Sequence, residues 1–136
     1  LEAYRALKKL SAGAEFLITS AAYDIEAVEA LLRAMEAVGA RAPVVVGVAP
    51  PASSKDLPPE GSPKFKVPAE LRRRIAEAEG RGPEALAEEV AEAFGGLCGE
   101  AAKLRGVAGV CIIAPGREQV VRAVLERAGV RRGGGG

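Results

Sequence analysis

The sequence predicts an α/β fold, three parallel strands with flanking helices. Three observations predict it. Short apolar runs rich in β-branched residues occur at Glu15–Thr19, Pro43–Val48 and Val107–Ile113. Segments with helical apolar spacing separate them. A crossover through a helix between strands of one sheet makes those strands parallel. The predicted order is α-β-α-β-α-α-β-α.

Taken in order, Tyr4, Leu7 and Leu10 give Leu1–Leu10 helical spacing, with Lys8 and Lys9 in the last turn, where the helix dipole favours cations. The run Glu15-Phe16-Leu17-Ile18-Thr19 follows a small-residue turn and reads as a strand buried on both faces. Its carboxyl end, Thr19 to Ala22, is where open α/β sheets and α/β barrels place their chemistry. Asp24 is a good N-cap for a helix whose stripe is Ile25, Val28, Leu31, Leu32, Met35 and Val38. Gly39 ends that helix, and Pro43–Val48 forms the second strand.

Ala49–Val67 breaks the rhythm with five prolines and reads as a long loop, of a length usually functional or disordered. Pro68 opens a helix carrying Leu71 and Ile75, and Pro83 opens another with Leu86, Val90, Phe94, Leu97 and Cys98 inward. Gly95, Gly96 and Gly99 are expected to weaken that helix, each by up to about 1 kcal/mol, and to allow a kink. Val107–Ile113 is the third strand. The final helix turns Val120, Val121, Val124 and Leu125 inward and stops at Gly129. The mixed Glu and Arg residues between Arg72 and Glu89 read as a solvated helix face with i,i+4 pairs.

Composition narrows the function classes. The 136 residues make one domain's worth of core, 49% of them apolar and 27% charged. A formal net charge of +1 recommends neither a nucleic acid nor an anionic membrane surface as partner. No apolar run approaches the roughly 20 residues of a membrane helix, and Leu1-Glu2-Ala3-Tyr4 has no signal-peptide layout, so a cytoplasmic location is expected. Histidine is absent, which removes His-based triads, most zinc sites and haem ligation by His. Cys98 and Cys111 have no metal spacing and are expected to be small buried apolar residues. Leu1 in place of Met and the closing glycines suggest a fragment or an artificial end.

No self-sufficient catalytic set is visible, and no metal set. Thr19, Ser20 and Tyr23 supply hydroxyls without a His to act as base, and the nearest basic groups are Lys55 or Arg117. The turn Ala114-Pro115-Gly116-Arg117 precedes a helix N-terminus, whose N–H groups could hold a phosphate. That feature suits flavin, nicotinamide and sugar-phosphate barrels alike.

Four segments, in order, resemble the methylenetetrahydrofolate reductase family. Ser11-Ala12-Gly13-Ala14-Glu15-Phe16-Leu17-Ile18-Thr19, with Asp24 five residues later, is similar to a family strand reading roughly AGADFIITQ-x-x-F-D. Val46-Gly47-Val48-Ala49-Pro50 is similar to the family's P-G-I-x-P strand, and Val67-Pro68 to the V/I-P that starts its next helix. Gly109-Val110-Cys111-Ile112-Ile113, then Arg117, looks like the final barrel strand and the arginine beyond it.

The resemblance implies a partial (β/α)8 TIM barrel, with residues 1–132 as its C-terminal part and 133–136 as a glycine tail. A whole barrel takes about 250 residues. The implied activity is hydride transfer from NAD(P)H through FAD to a folate one-carbon carrier. The implied cofactor-binding residues are Lys9 and Ala14, and the implied substrate-binding residues Thr19, Ser20 and Arg117. The family's proton-donating acid and flavin-side aspartate come from earlier strands, so no catalytic residue is assigned and the chain alone is expected to be inactive. The expected partners are folate and NAD(P)H-type small molecules, with the chain an oligomer or paired with an N-terminal barrel half.

The sequence also departs from the family. Ser20 replaces a glutamine, Ala21 and Ala22 replace bulkier residues, and Val46 replaces a proline. The Ala49–Val67 loop lacks the family's helical pattern, and Asp56 sits where an amide would be expected. An alternative is therefore a non-catalytic half-barrel subunit, or a diverged paralogue, that docks on a partner. An unrelated phosphate-binding barrel is a third reading.

Overall fold

The structure, a computed structural model, describes residues 8, 12–13, 15–19, 21–62 and 66–129. The helix expected over Leu1–Leu10 lies outside the described residues except for Lys8, which is helical and whose carbonyl accepts from the Ala12 N–H at 3.1 Å. The strands β1 (Leu17–Ile18), β2 (Val44–Val48) and β3 (Val107–Ile112) form one sheet in the order β1-β2-β3, with both pairings parallel. The helices are α1 (Ile25–Ala37) between β1 and β2, α2 (Ala69–Arg81) and α3 (Pro83–Ala102) between β2 and β3, and α4 (Glu118–Ala128) after β3. This α/β arrangement matches the predicted one.

The register settles which face of the sheet the core uses. Leu17 pairs with Val44, Val44 with Val107, Val46 with Val110 and Val48 with Ile112. Leu17, Val44, Val46 and Val48 belong to the buried core cluster, with the three valines almost inaccessible to solvent, and the partly buried Val107, Val110 and Ile112 pack against it. Alternation sends the intervening residues to the opposite face. That face carries Ile18, Val45, Gly47, Gly109 and Cys111, with Phe16 and Ile113 continuing it beyond the strand ends. Phe16 is 54% exposed, Ile18 55% and Ile113 45%. No described element covers it.

The strands therefore differ from the expectation in one respect. Their continuous apolar runs predict burial on both faces, yet among the described residues helices cover one face while Ile18 and Cys111 on the other stay exposed. Cys111 follows from the same geometry: expected to be buried, it is exposed, because it pairs with Gly47 on the open side. Cys98 is fully buried on α3, and burial pushes its thiol up to about 11.

Local signals place the helices. Asp24 caps α1, its Oδ1 accepting from the Ala27 N–H at 2.6 Å, and Val28 and Met35 bury the inward stripe. Gly82 separates α2 from α3 at φ 123°, a backbone conformation closed to most L side chains, and Pro83 then opens α3. The glycines of α3 do not interrupt it; the helix runs unbroken through Pro83–Ala102. Gly95 and Gly99 instead admit α4. A Cβ on Gly95 would collide with the Arg127 side chain and lie 3.0 Å from the Val124 carbonyl oxygen, and one on Gly99 would lie 3.0 Å from the Ala128 carbonyl oxygen. Val124 is fully buried at this crossing, while Val121 and Leu125 stay half-buried.

The charged faces are paired. Arg73 bridges Glu70 and Glu77 along α2, Arg74 reaches Glu89 on α3 at 2.5 Å, and Arg127 on α4 holds Glu88 and Glu92 of α3. The Arg74 and Arg127 contacts join neighbouring helices, which i,i+4 spacing does not predict. Among the described residues no helix is long and apolar enough to cross a membrane.

Candidate functional site at the carboxyl rim

Parallel strands bring their carboxyl ends to one rim, so Thr19 after β1, Pro50 after β2 and Arg117 after β3 lie at the same end of the sheet. Thr19 binds its neighbour twice: its N–H donates to the Val45 carbonyl at 2.9 Å, and its Oγ1 accepts from the Gly47 N–H at 2.9 Å. The Ala22 N–H then donates to the Gly47 carbonyl at 2.9 Å, so the chain leaving β1 stays tied to β2. Ala22 is buried, and the small side chains at Ala21 and Ala22 let the chain hug the sheet.

Arg117 closes the other side. Its Nη2 donates to the Pro50 carbonyl at 2.8 Å, linking the start of α4 to the segment after β2. Its Nη1 is buried without a hydrogen-bond partner among the described residues. Lys9, Ala14 and Ser20 lie outside the described residues. Of the five residues singled out from the sequence, Thr19 and Arg117 are thus placed on a common rim, each holding an adjacent strand end.

The Pro-rich loop forms part of this rim and is built rather than slack. Pro50 and Pro51 are buried and Leu57 enters the core. A short 3-10 turn occupies Ser54–Asp56. The Asp56 carboxylate accepts from the Ala52 N–H at 2.9 Å. Glu79 of α2 accepts from both Ser54 groups, the N–H at 3.0 Å and the hydroxyl at 2.6 Å. These two hydrogen bonds hold the Glu79 carboxyl below the usual carboxylate range. Sequence reasoning grouped Glu79 with the solvated charges. Its partner lies 25 residues away, and no local spacing announces it.

Tyr23, just beyond the rim of β1, stands edge-on to Phe94 with ring centroids 6.2 Å apart, and burial raises its phenol. Among the described residues no cluster of three or more His, Cys, Asp or Glu is placed to hold a metal ion. The uncovered face below the rim is a floor of Ile18, Val45, Gly47, Gly109 and Cys111, with no Asp, Glu, Lys or Arg among them. At Gly109 an added Cβ would meet nothing within 4 Å.

The family model for methylenetetrahydrofolate reductase matches residues 2–129. The chain belongs to the methylenetetrahydrofolate reductase family. No match to it was found among the curated proteins. Methylenetetrahydrofolate reductases are TIM barrels, and the three parallel strands with helices on one side are a sector of such a barrel. In that setting the helix-side face is the barrel's outer layer, the open face is its interior, and the rim of Thr19, Pro50 and Arg117 is the end where such barrels carry their sites. Membership of this family of oxidoreductases gives the chain a methylenetetrahydrofolate reductase-like function.

Proposed function

We propose that the chain is the C-terminal sector of a flavin-dependent reductase, in which FAD relays a hydride from NAD(P)H to a folate one-carbon carrier. The observation that carries this reading is the family match over residues 2–129, together with the bare apolar face at the right side of the sheet. The described residues suit a flavin's planar ring: the floor beneath the rim is apolar, two of its positions are glycines, and it has no carboxylate to repel a diphosphate. When bound, the flavin supplies the hydride-relay chemistry. Lys9 and Ala14 are assigned to the cofactor, and Thr19, Ser20 and Arg117 to the substrate end of the barrel, by their match to the family strands.

The remaining strands come from a preceding segment or from a second polypeptide, an N-terminal barrel half. Edge strands with open N–H and C=O groups need such a cover. Catalytic acid and base groups are assigned to that other part, because the family's proton-donating acid comes from earlier strands and the residues directly after the described strands are Thr19, Ala49 and Ile113. The direct test mixes this chain with an N-terminal barrel half and FAD, then follows the flavin spectrum and NADH oxidation. A perturbed flavin band and folate-dependent NADH oxidation support the reading, and a flavin spectrum identical to that of free FAD refutes it.

The same bare face favours a second reading, a non-catalytic half-barrel that docks on a partner through it. Light scattering after size exclusion separates the two, because a stable, cofactor-free dimer supports the docking role.

A further inference from the structure

A cleft of about 400 Å³ lies on the helix side of the sheet, between the start of α1, the first half of α2 and the second half of α3. Its floor is apolar and aromatic: Tyr23 and Phe94, which meet edge-on, with Leu71 and Leu97 beside them. Phe94 and Leu97 are buried, and Tyr23 and Leu71 half-buried. Neither Thr19 nor Arg117, the described residues assigned to the substrate, lines it.

Most charges around this floor are compensated. Arg74 reaches Glu89 at 2.5 Å, Glu70 is bridged by Arg73, Glu92 by Arg127, and Asp24 is engaged in capping α1. Glu100 differs: it is exposed and forms no ion pair among the described residues, not even with Lys103 three positions on. Helical spacing puts Ala93, Gly96, Leu97 and Glu100 on one face of α3, and that face lines the cleft. Side chains on a helix tilt toward its N-terminus, so Glu100 extends over Gly96, one turn back, where an added Cβ would meet nothing within 4 Å. Glu100 also lies in the last turn of α3, where the dipole is negative and no basic side chain of that turn offsets it.

An accessible carboxylate beside an aromatic floor suits a cation with an apolar body: the carboxylate accepts from the ammonium, and the π-electrons of the rings attract it as well. We propose that this cleft binds a small organic amine in its protonated form, its ammonium on Glu100 and its body against Tyr23, Leu71 and Leu97. The volume is that of the smaller ligand pockets. An amine bound there bridges α1 to the α2–α3 pair, away from the open sheet face. The inference does not rest on the reductase reading, since its measurement uses no flavin, nicotinamide or folate.

The test titrates the full chain with benzylamine and, separately, with its neutral counterpart benzyl alcohol, by isothermal calorimetry and ligand-observed NMR. Benzylamine is expected to saturate one site and to bind about tenfold more tightly than benzyl alcohol, the gap expected for a charged hydrogen bond. Glu100→Gln should remove that preference, whereas Glu36→Gln, which removes the same charge at the far end of α1, should leave it intact. Gly96→Phe, placed where α3 has open space, should remove binding while the helical circular dichroism persists. No binding of benzylamine, equal binding of the two probes, a preference that survives Glu100→Gln or falls as far in Glu36→Gln, or benzylamine binding undiminished in Gly96→Phe would each overturn the proposal.

Discussion

The Thr19 hydroxyl oxygen accepts from the Gly47 N–H at 2.9 Å, a side chain standing in for the backbone where β1 has ended and β2 continues. The site is partly buried, so removing the acceptor leaves an N–H without a partner away from bulk water. Thr19→Val keeps the shape and loses the oxygen; it should cost about 1–3 kcal/mol, read from urea unfolding. Thr19→Ser keeps the oxygen and should recover most of that loss. A serine variant as unstable as the valine variant would show that the methyl group, not the bond, matters.

Two neighbouring glycines in α3 should respond with opposite signs. A Cβ on Gly95 runs into Arg127 and the Val124 carbonyl, so Gly95→Ala must push α4 away and should destabilise by about 1–3 kcal/mol. Gly96 is exposed with nothing within 4 Å of a Cβ, so Gly96→Ala should stabilise by up to about 1 kcal/mol through helix propensity alone. Thermal melts of the two variants check the pair.

The fold was legible because its signals are local. Asp24, Gly82 and Pro83 mark helix boundaries by their own backbone chemistry, and the valine run 44–46 can be little but strand. What failed was anything set by partners distant in sequence. The apolar runs announce buried strands, but nothing in Ile18 or Cys111 says whether this chain or another covers them. Gly95 and Gly99 look like weak helix positions until α4 is laid across them. For the site, parallel order alone puts Thr19 and Arg117 on one rim, whereas the Ser54–Glu79 bonds and the Pro50 carbonyl under Arg117 depend on how a Pro-rich loop folds back.

Helix α1 tests a cap in isolation. Asp24 Oδ1 accepts from the Ala27 N–H at 2.6 Å at the first turn. Asp24→Ala should cost about 1 kcal/mol and Asp24→Asn much less, since asparagine also caps well. Melting temperatures of the two variants, measured side by side, distinguish capping from a general loss of charge.

The Glu79 carboxylate gives the loop a pH dependence of known sign. Its two Ser54 hydrogen bonds favour the ionised form, so its folded pKa lies below the unfolded value. The contribution is complete above the unfolded pKa of roughly 4.3 and is lost as pH falls through the lower folded value. Glu79→Gln resembles the protonated acid in shape and charge. It should melt below the unsubstituted chain at pH 7, and the two curves should converge as pH drops below about 4. A gap that persists at low pH would assign the effect to packing.

The two cysteines report directly on whether the open sheet face is a barrel interior. Cys98 is buried, and with its thiol raised to about 11 it should resist an aqueous thiol reagent in the folded chain. Cys111 is exposed on the uncovered face, paired with Gly47, and should label readily in the chain alone. If an N-terminal barrel half closes over that face, its addition should slow Cys111 labelling by about tenfold or more, on the view that burial behind packed strands restricts access to rare openings. Cys98→Ser leaves Cys111 as the reporting thiol and removes ambiguity from the mass spectrum. An unchanged rate in the presence of a half that demonstrably binds would place the partner on another surface, and would leave the apolar floor of Ile18, Val45 and Gly109 without its proposed role.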